Sequence, residues 1–395
     1  MINRGIALRN RASSSFIRIT TVNLLYFIAL GYYLPILTHF LHLRGISDFL
    51  IGIINAISYF ASSISQTIIG NIADKRGKIP FIVIGNFISA IALFLLTFSS
   101  SFFEITIALI LSQIITVVPL INALLIEISD LNKRGESFGK FRISGSIGWI
   151  IGTILGGIQS EIVSIESLFF TASGLFILTA ILAKVLLFEV KTEKEVQVEK
   201  RSLILDMKKI FEERNFILFL ASSIIYMIVN TALGVFLPRY MEYYTQSPFW
   251  ITFPFAFAAI SEIPLMIYSG RLSDKIGRKV LITFGLTVLA LRIFLYTLAT
   301  NIIMILAISL LNGITFGTVY VVSVAYVSDL TPEGLHSTSQ SVYNITISLA
   351  TVIGSFLGGY LAELYGVFGL FRIIAFISLL DALFFHITVR EANSK

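Results

Sequence analysis

Apolar residues run in long unbroken stretches, at 19–41, 48–73, 79–99, 104–129, 142–165, 167–188, 215–238, 248–272, 280–300, 302–328, 337–361 and 366–388. Each stretch has about the 20 residues that a helix needs to cross a bilayer. None alternates apolar and polar residues with the period of two expected of barrel strands. The pattern therefore predicts twelve transmembrane helices, called spans 1–12 in chain order. The first run is too long for a secretory leader, and no small-residue cleavage site follows it, so it is expected to be span 1. Composition agrees: hydrophobic residues are 56%, charged residues 13%, and mean hydropathy is +0.89. Soluble domains carry about 25% charge. This excludes a soluble enzyme, a disordered chain and a nucleic-acid partner. There is no cysteine, which excludes disulfides, thiol catalysis and cysteine-ligated metals.

The few charges are unevenly placed. Of the 29 Lys and Arg, all but Arg44, Arg239, Arg292 and Arg372 fall before span 1, in or at the edges of the 2–3, 4–5 and 8–9 loops, at Lys184 near the end of span 6, in the 189–214 stretch or in the tail. Under the positive-inside rule these segments are cytoplasmic, and both termini are cytoplasmic. The net charge of +6 thus reports topology, not a polyanionic partner. The expected location is the cytoplasmic membrane, with the lipid bilayer as surroundings and a monomer as the unit.

The chain repeats itself. Residues 29–35 (ALGYYLP) return at 232–238 (ALGVFLP), 70–78 (GNIADKRGK) at 270–278 (GRLSDKIGR), and 152–157 (GTILGG) at 354–359 (GSFLGG). The offsets of about 200 residues imply a parallel duplication about the charged stretch 189–214. The expected fold class is an all-α membrane protein, with twelve transmembrane helices in two pseudo-symmetric six-helix bundles. The expected domains are 1–188 and 215–395, joined by a cytoplasmic linker at 189–214. Such bundles enclose a binding site near the midplane and expose it to either side by rocking.

The two charged repeats carry a mechanism. Gly70 and Gly270 allow a neighbouring helix to approach, Asp74 and Asp274 can take up nearby cations, and Gly77 and Gly277 allow a tight turn before Lys78 and Arg278. Two copies in register point to a conformational latch; the plainer reading is a solvated basic loop. This pair of loops resembles the signature of the major facilitator superfamily, and the resemblance covers the whole chain. YFIALGYYLP (26–35), GIINAIS (52–58), Lys140–Trp149 and Gly277-Arg278-Lys279 followed by Leu291-Arg292-Ile293 resemble the proton-coupled lactose permease branch. Ser261–Pro264, ITFG (314–317) and Ser339–Asn344 resemble the phenylpropionate and nucleoside permeases of that branch.

Charges inside the membrane need a reason, because each costs about 2.5–3.5 kcal/mol to insert. Glu262 lies about 15 Å from the inner end of span 8 and Arg292 about 18 Å into span 9 from the same side. At similar depth on successive helices they suit proton coupling, or a fixed ion pair. Asp381, within span 12, is a second protonation candidate or a structural group. The resemblance implies that Glu262 and Arg292 belong to substrate and proton machinery, with Glu262 about one turn displaced. It also implies substrate contacts for Arg142 and Trp149, which share a helix face. It leaves Asn122 beside the position of an absent span-4 glutamate, and puts Asn312 where a histidine is expected. Lactose is therefore not the expected substrate. Asn230 and Asn344, on spans 7 and 11, are further candidates for the cavity wall. Gly148, Gly152, Gly156 and Gly157 read as a packing seam, since Thr153 stands where drug antiporters have proline. His39 and His42 read as an interfacial pair. No HExxH or GxSxG motif is present, so no enzyme is expected, and the driving force is a proton gradient with no cofactor. The expected function is a proton-coupled symporter for a sugar, nucleoside or aromatic acid. The alternatives are a drug or metabolite efflux antiporter of the same fold and a ligand-binding receptor without flux.

Overall fold

A computed structural model describes residues 2–128, 134–189, 203–332 and 334–391. Lys133, Lys191, Lys194, Lys200, Arg201 and Lys395, six of the cations expected on the cytoplasmic side, lie outside the described residues. Among the described residues there is no strand, and eleven helices are long and apolar enough to cross a membrane. They begin with α1 (Ile2–Leu43), α2 (Asp48–Arg76) and α3 (Ile79–Phe98). The fourth crossing is made of α4 (Phe102–Gln113) and α5 (Val117–Ile128), followed by α6 (Arg134–Ile162) and α7 (Ile165–Leu186). A short helix α8 (Leu203–Glu212) lies in the expected linker, ahead of α9 (Arg214–Met241), α10 (Pro248–Ile276) and α11 (Arg278–Leu298). The tenth crossing is assembled from α12 (Ile302–Ser309), α13 (Leu311–Thr315), a π-helix (Phe316–Val321) and α14 (Val322–Asp329). The last helix, α15 (His336–Thr388), has 53 residues, about 80 Å at 1.5 Å per residue and far beyond one bilayer. Gly366, at φ 69° and ψ 168°, divides it. The eleven helices therefore make the twelve crossings that the hydropathy pattern predicts, with spans 11 and 12 joined at a single glycine.

Local chemistry sets the helix ends. Ser101 and Glu104 form a reciprocal capping box at the start of α4, and Ser164 and Asn301 cap α7 and α12. Pro80 sits in the first turn of α3, where its missing N–H costs nothing. The turns before α3 and α11 hinge on Gly77 and Gly277, at φ 93° and 94°, a backbone conformation that side chains disfavour.

By their contacts the residues fall into two compact units. The first comprises Met1–Phe40, Ile57–Lys194 and Ser247–Ala256; the second comprises Leu41–Ala56, Glu195–Gln246 and Phe257–Lys395. The first unit is held by a glycine seam. A Cβ on Gly148, Gly152 or Gly156 would lie 2.2–2.5 Å from the carbonyl oxygens of Leu24, Ile28 and Tyr32, so α6 rests main chain to main chain on α1. The second unit uses the equivalent glycines: Gly354 meets the Ile228 carbonyl, and Gly358 meets Ala232, both on α9. Aromatic packing repeats as well. Phe40 and Phe169 have ring centroids 4.6 Å apart in the first unit, and Tyr240 and Phe371 stack at 4.8 Å in the second. A dry interior satisfied by backbone hydrogen bonds and close small-residue contacts is the solution the bilayer demands.

Candidate functional site

The second unit gathers polar groups at mid-membrane depth. Gly313 makes this possible. Its N–H donates to the Ser261 hydroxyl at 3.0 Å, and a Cβ there would stand 2.2 Å from the Ser261 carbonyl oxygen. The tenth crossing therefore presses against α10 at Ser261 and Glu262. The neighbouring Asn312 then spans the gap between two charges. Its Nδ2 donates to Glu262 Oε1 at 2.6 Å, while its Oδ1 accepts from Arg292 Nη1. Arg292 also donates toward Thr315 Oγ1 at 3.4 Å and lies 5.8 Å from the Tyr296 ring centre. The guanidinium residue is only 5% exposed, and its Nε has no hydrogen-bond partner among the described residues.

Glu262 and Arg292, expected as a pair, are thus joined through Asn312, an amide that matches a carboxylate on one side and a guanidinium on the other. This arrangement separates the charges by one side chain. The π-helix begins four residues after Asn312; such segments shift helical register and cluster at functional sites. Thr315 and the ring of Tyr296 were not legible as site residues. The helix period places Tyr296 one turn beyond Arg292, which was the available signal.

Asp381 is not a member of this chain of contacts. It is 2% exposed, and both its carboxyl oxygens lack hydrogen-bond partners among the described residues. The Ser222 hydroxyl of α9 is the polar group that faces it. In the first unit, Arg142 and Trp149 are half-buried on α6, with the Trp149 main chain against Gly31. Asn122 on α5 and Asn230 on α9 are half-buried, whereas Asn344 on α15 is exposed, next to the buried Tyr343. His42 Nδ1 lies 3.0 Å from Glu242 Oε2, a partner 200 residues away in sequence. Among the described residues no group of three or more His, Cys, Asp or Glu is arranged to hold a metal.

The signature loops form two matching charge networks. Lys78 Nζ bonds Glu127 Oε1 at 2.7 Å and approaches Asp74 at 3.6 Å. Arg278 Nε bonds Asp329 Oδ2 at 2.9 Å, with Asp274 3.7 Å from Nη2. Glu189 accepts from the Ile79 N–H at 2.7 Å, and Glu391 accepts from the Arg278 and Lys279 N–H groups at 2.9 and 3.0 Å. These carboxylates cap the first turns of α3 and α11 and oppose the positive helix ends. Glu127 and Asp329, like Glu189 and Glu391, recur at the offset of the duplication, a signal the sequence carried. Gly70 and Gly270 have no atom within 4 Å of a built Cβ, so they mark no close helix approach. Asp74 and Asp274 are about 70% exposed at the side chain. The basic residues are the hubs, and the aspartates lie at the rim.

Burial pulls the Lys78 ammonium down, but the hydrogen bond and charge of Glu127, with Asp74 and Glu189, hold it above the usual lysine range. Such a group contributes below its ordinary pKa and loses its contribution only as pH rises through the elevated one. Lys78→Met is therefore expected to slow turnover about equally from roughly pH 5 to 9, as measured by initial rates in vesicles. A pH-dependent defect within that window would assign the role to another group.

Residues 16–373 match the MFS_1 like family, and the chain belongs to that family of the major facilitator superfamily. It is 24% identical to an MFS-type transporter of Methanocaldococcus jannaschii, over 92% of this chain and 95% of that one. It is also 24% identical to multidrug resistance protein 2 of Bacillus subtilis, over 90% of each chain. Among solved structures, the nucleoside transporter NupG superposes with a TM-score of 0.80 at 16% identity, covering 94% of this chain and 98% of that one. A D-xylose-proton symporter superposes at 0.75 and 15% identity, covering 96% and 99%. These likenesses show the fold. The protein is a multi-pass membrane transporter of the major facilitator class, and that class is not a class of enzymes.

Proposed function

We propose that the protein is a secondary active transporter. It moves a small polar solute of the sugar, nucleoside or aromatic-acid type across the cytoplasmic membrane by alternating access, in symport with protons. The observation that carries this reading is the Glu262–Asn312–Arg292 chain. A carboxylate and a guanidinium held at mid-membrane depth by one amide form an exchangeable lock. A solute hydroxyl or amide that takes the place of Asn312 changes the hydrogen bonding of Glu262, and with it how readily that carboxyl takes or releases a proton. Asp381, whose carboxyl oxygens lack hydrogen-bond partners among the described residues, is a second candidate for protonation. In the first unit, the half-buried Arg142 and Trp149, with Asn122, provide a guanidinium fork, an indole face and an amide suited to a ring-bearing solute; in the second unit, Asn230 is a separate candidate.

The efflux reading draws on the drug-resistance proteins among the relatives. Against it stands Thr153 in the glycine seam, where the antiporter motif has a helix-kinking proline.

Purified protein screened by thermal shift against sugars, nucleosides and aromatic acids is expected to give a ligand that raises its apparent stability. In right-side-out vesicles an inward proton gradient is then expected to drive accumulation of that ligand. Gradient-driven extrusion would establish the exporter instead. Binding without flux in either direction would establish the receptor.

A further inference from the structure

The short helix between the two halves carries apolar side chains that its own unit leaves open. α8 (Leu203–Glu212) packs against α9 and α15 within the second unit. Ile210 is its anchor, at 1% exposure. Met207 and Phe211 are 42% and 43% exposed. Four residues apart, they stand side by side, about 40° from one another at 3.6 residues per turn. By the same geometry Ile210 lies about 60° to one side of Met207, and Lys208 about 60° beyond Phe211 on the other. Lys209 lies nearly opposite, and both lysines are exposed. Around the helix, a docked residue is therefore followed by an open apolar pair, a flanking lysine and a charged back.

The neighbours of α8 fix its level in the membrane. It ends at Glu212, and the crossing α9 begins at Arg214. The one residue between them, Glu213, is extended at φ −76° and ψ 94°, so the chain turns there. Asn215, in the first turn of α9, donates from Nδ2 to the Arg390 carbonyl at 3.0 Å and accepts at Oδ1 from the Arg390 N–H at 2.7 Å. The end of α15 and the start of α9 are thus held at one level. Ile217, six residues after Phe211 and on the crossing itself, is 42% exposed. The open pair of α8 continues this apolar surface at the boundary between hydrocarbon and water. An exposed apolar pair backed by charge at that boundary has the character of a helix that lies in the membrane plane.

We infer that α8 is an interfacial helix, with Met207 and Phe211 inserted at the headgroup–acyl boundary of the bilayer. Ile210 ties the insertion to α9 and α15, so the bilayer grips the second unit through the linker as well as through its crossings. Lys208, beside the inserted face, lays its methylene stem on the apolar side and its ammonium among the headgroups. The exposed charges nearby are Lys208, Lys209 and Arg214 against Glu212 and Glu213. They nearly cancel, so apolar burial holds the helix down, and neutral phospholipid is a sufficient partner. The inference is independent of the solute and of the coupling ion.

The natural absence of cysteine makes the test direct. Met207→Cys, Phe211→Cys and Lys209→Cys each carry a nitroxide in full-length protein reconstituted into phosphatidylcholine vesicles. Ile210, the docking residue, is unchanged in all of them. Ile91→Cys, in the middle of α3 and 57% exposed, is the reference for lipid. Collisions with oxygen, which concentrates in hydrocarbon, are compared with collisions with a water-soluble nickel chelate by power saturation. The oxygen-to-nickel ratio at 207 and 211 is expected to exceed that at 209 by about threefold or more, and to stay below that at Ile91→Cys, as insertion to about 5–10 Å requires. A ratio equal to that at 209 would put the pair in water and overturn the inference. Few collisions with either reagent would show the pair covered by protein, a second copy or another segment, and would overturn it too. So would a raised ratio that appears only when phosphatidylglycerol is added.

Discussion

Glu262→Gln is expected to abolish proton-driven accumulation while leaving solute exchange in place. The glutamine carbonyl can still accept from Asn312, so the geometry of the chain of contacts survives. The charge does not, and Arg292 is left 5% exposed with no anion behind its amide partner. Removing one member of a buried, hydrogen-bonded charge pair costs about 2–5 kcal/mol, roughly 30-fold or more in the affected equilibrium. Uphill accumulation, which needs a group that loads and releases protons, should fall at least that far. Counterflow, which needs only binding and reorientation, should stay within about threefold of the parent. Normal uphill transport by the variant would take Glu262 out of the coupling mechanism. Asp381→Asn is the informative partner. If accumulation persists in Glu262→Gln and fails in Asp381→Asn, the coupling carboxyl is the one facing Ser222.

Gly152→Val is expected to prevent correct assembly of the first unit. A Cβ at this position would stand 2.2 Å from the Ile28 carbonyl oxygen, and that atom belongs to main chain that cannot rotate aside. Valine must force α6 away from α1 and loosen the contacts of Gly148 and Gly156 on the same seam. Overpacking of this kind costs about 1–3 kcal/mol when side chains can adjust, and more when backbone must move. The yield of monodisperse protein on size-exclusion chromatography should drop severely, with a Tm well below the parent in any surviving fraction. Gly174→Ala is the control, because no atom lies within 4 Å of its Cβ. In a helix interior it should be neutral or stabilising by up to about 1 kcal/mol. A well-folded Gly152→Val protein would show that the α1–α6 approach is not required.

Much of the fold was legible because the bilayer writes it in composition. Apolar runs of about 20 residues, with Lys and Arg concentrated in alternate loops, admit few structures besides transmembrane helices. The duplication was legible from GTILGG and GSFLGG, which proved to be the glycine seams of the two units. The partners of each candidate were harder to read. Glu262 and Arg292 could be matched by depth, but depth does not reveal that Asn312 stands between them; that depends on Gly313 meeting Ser261 across two helices. In the loops, the aspartates drew attention as the charged members of a repeated motif. Their partners Glu127, Asp329, Glu189 and Glu391 lie 49 to 113 residues from the turns they hold.

The sequence by itself determined the helical crossings and the two-fold repeat, and predicted an orientation, because hydropathy and charge act on each segment alone. Only the tertiary structure decided which polar groups meet. It set an asparagine between a glutamate and an arginine and left Asp381 facing Ser222. The physical reason is that desolvation is a property of a residue, whereas a hydrogen bond is a property of two, and the distance between them is fixed by packing.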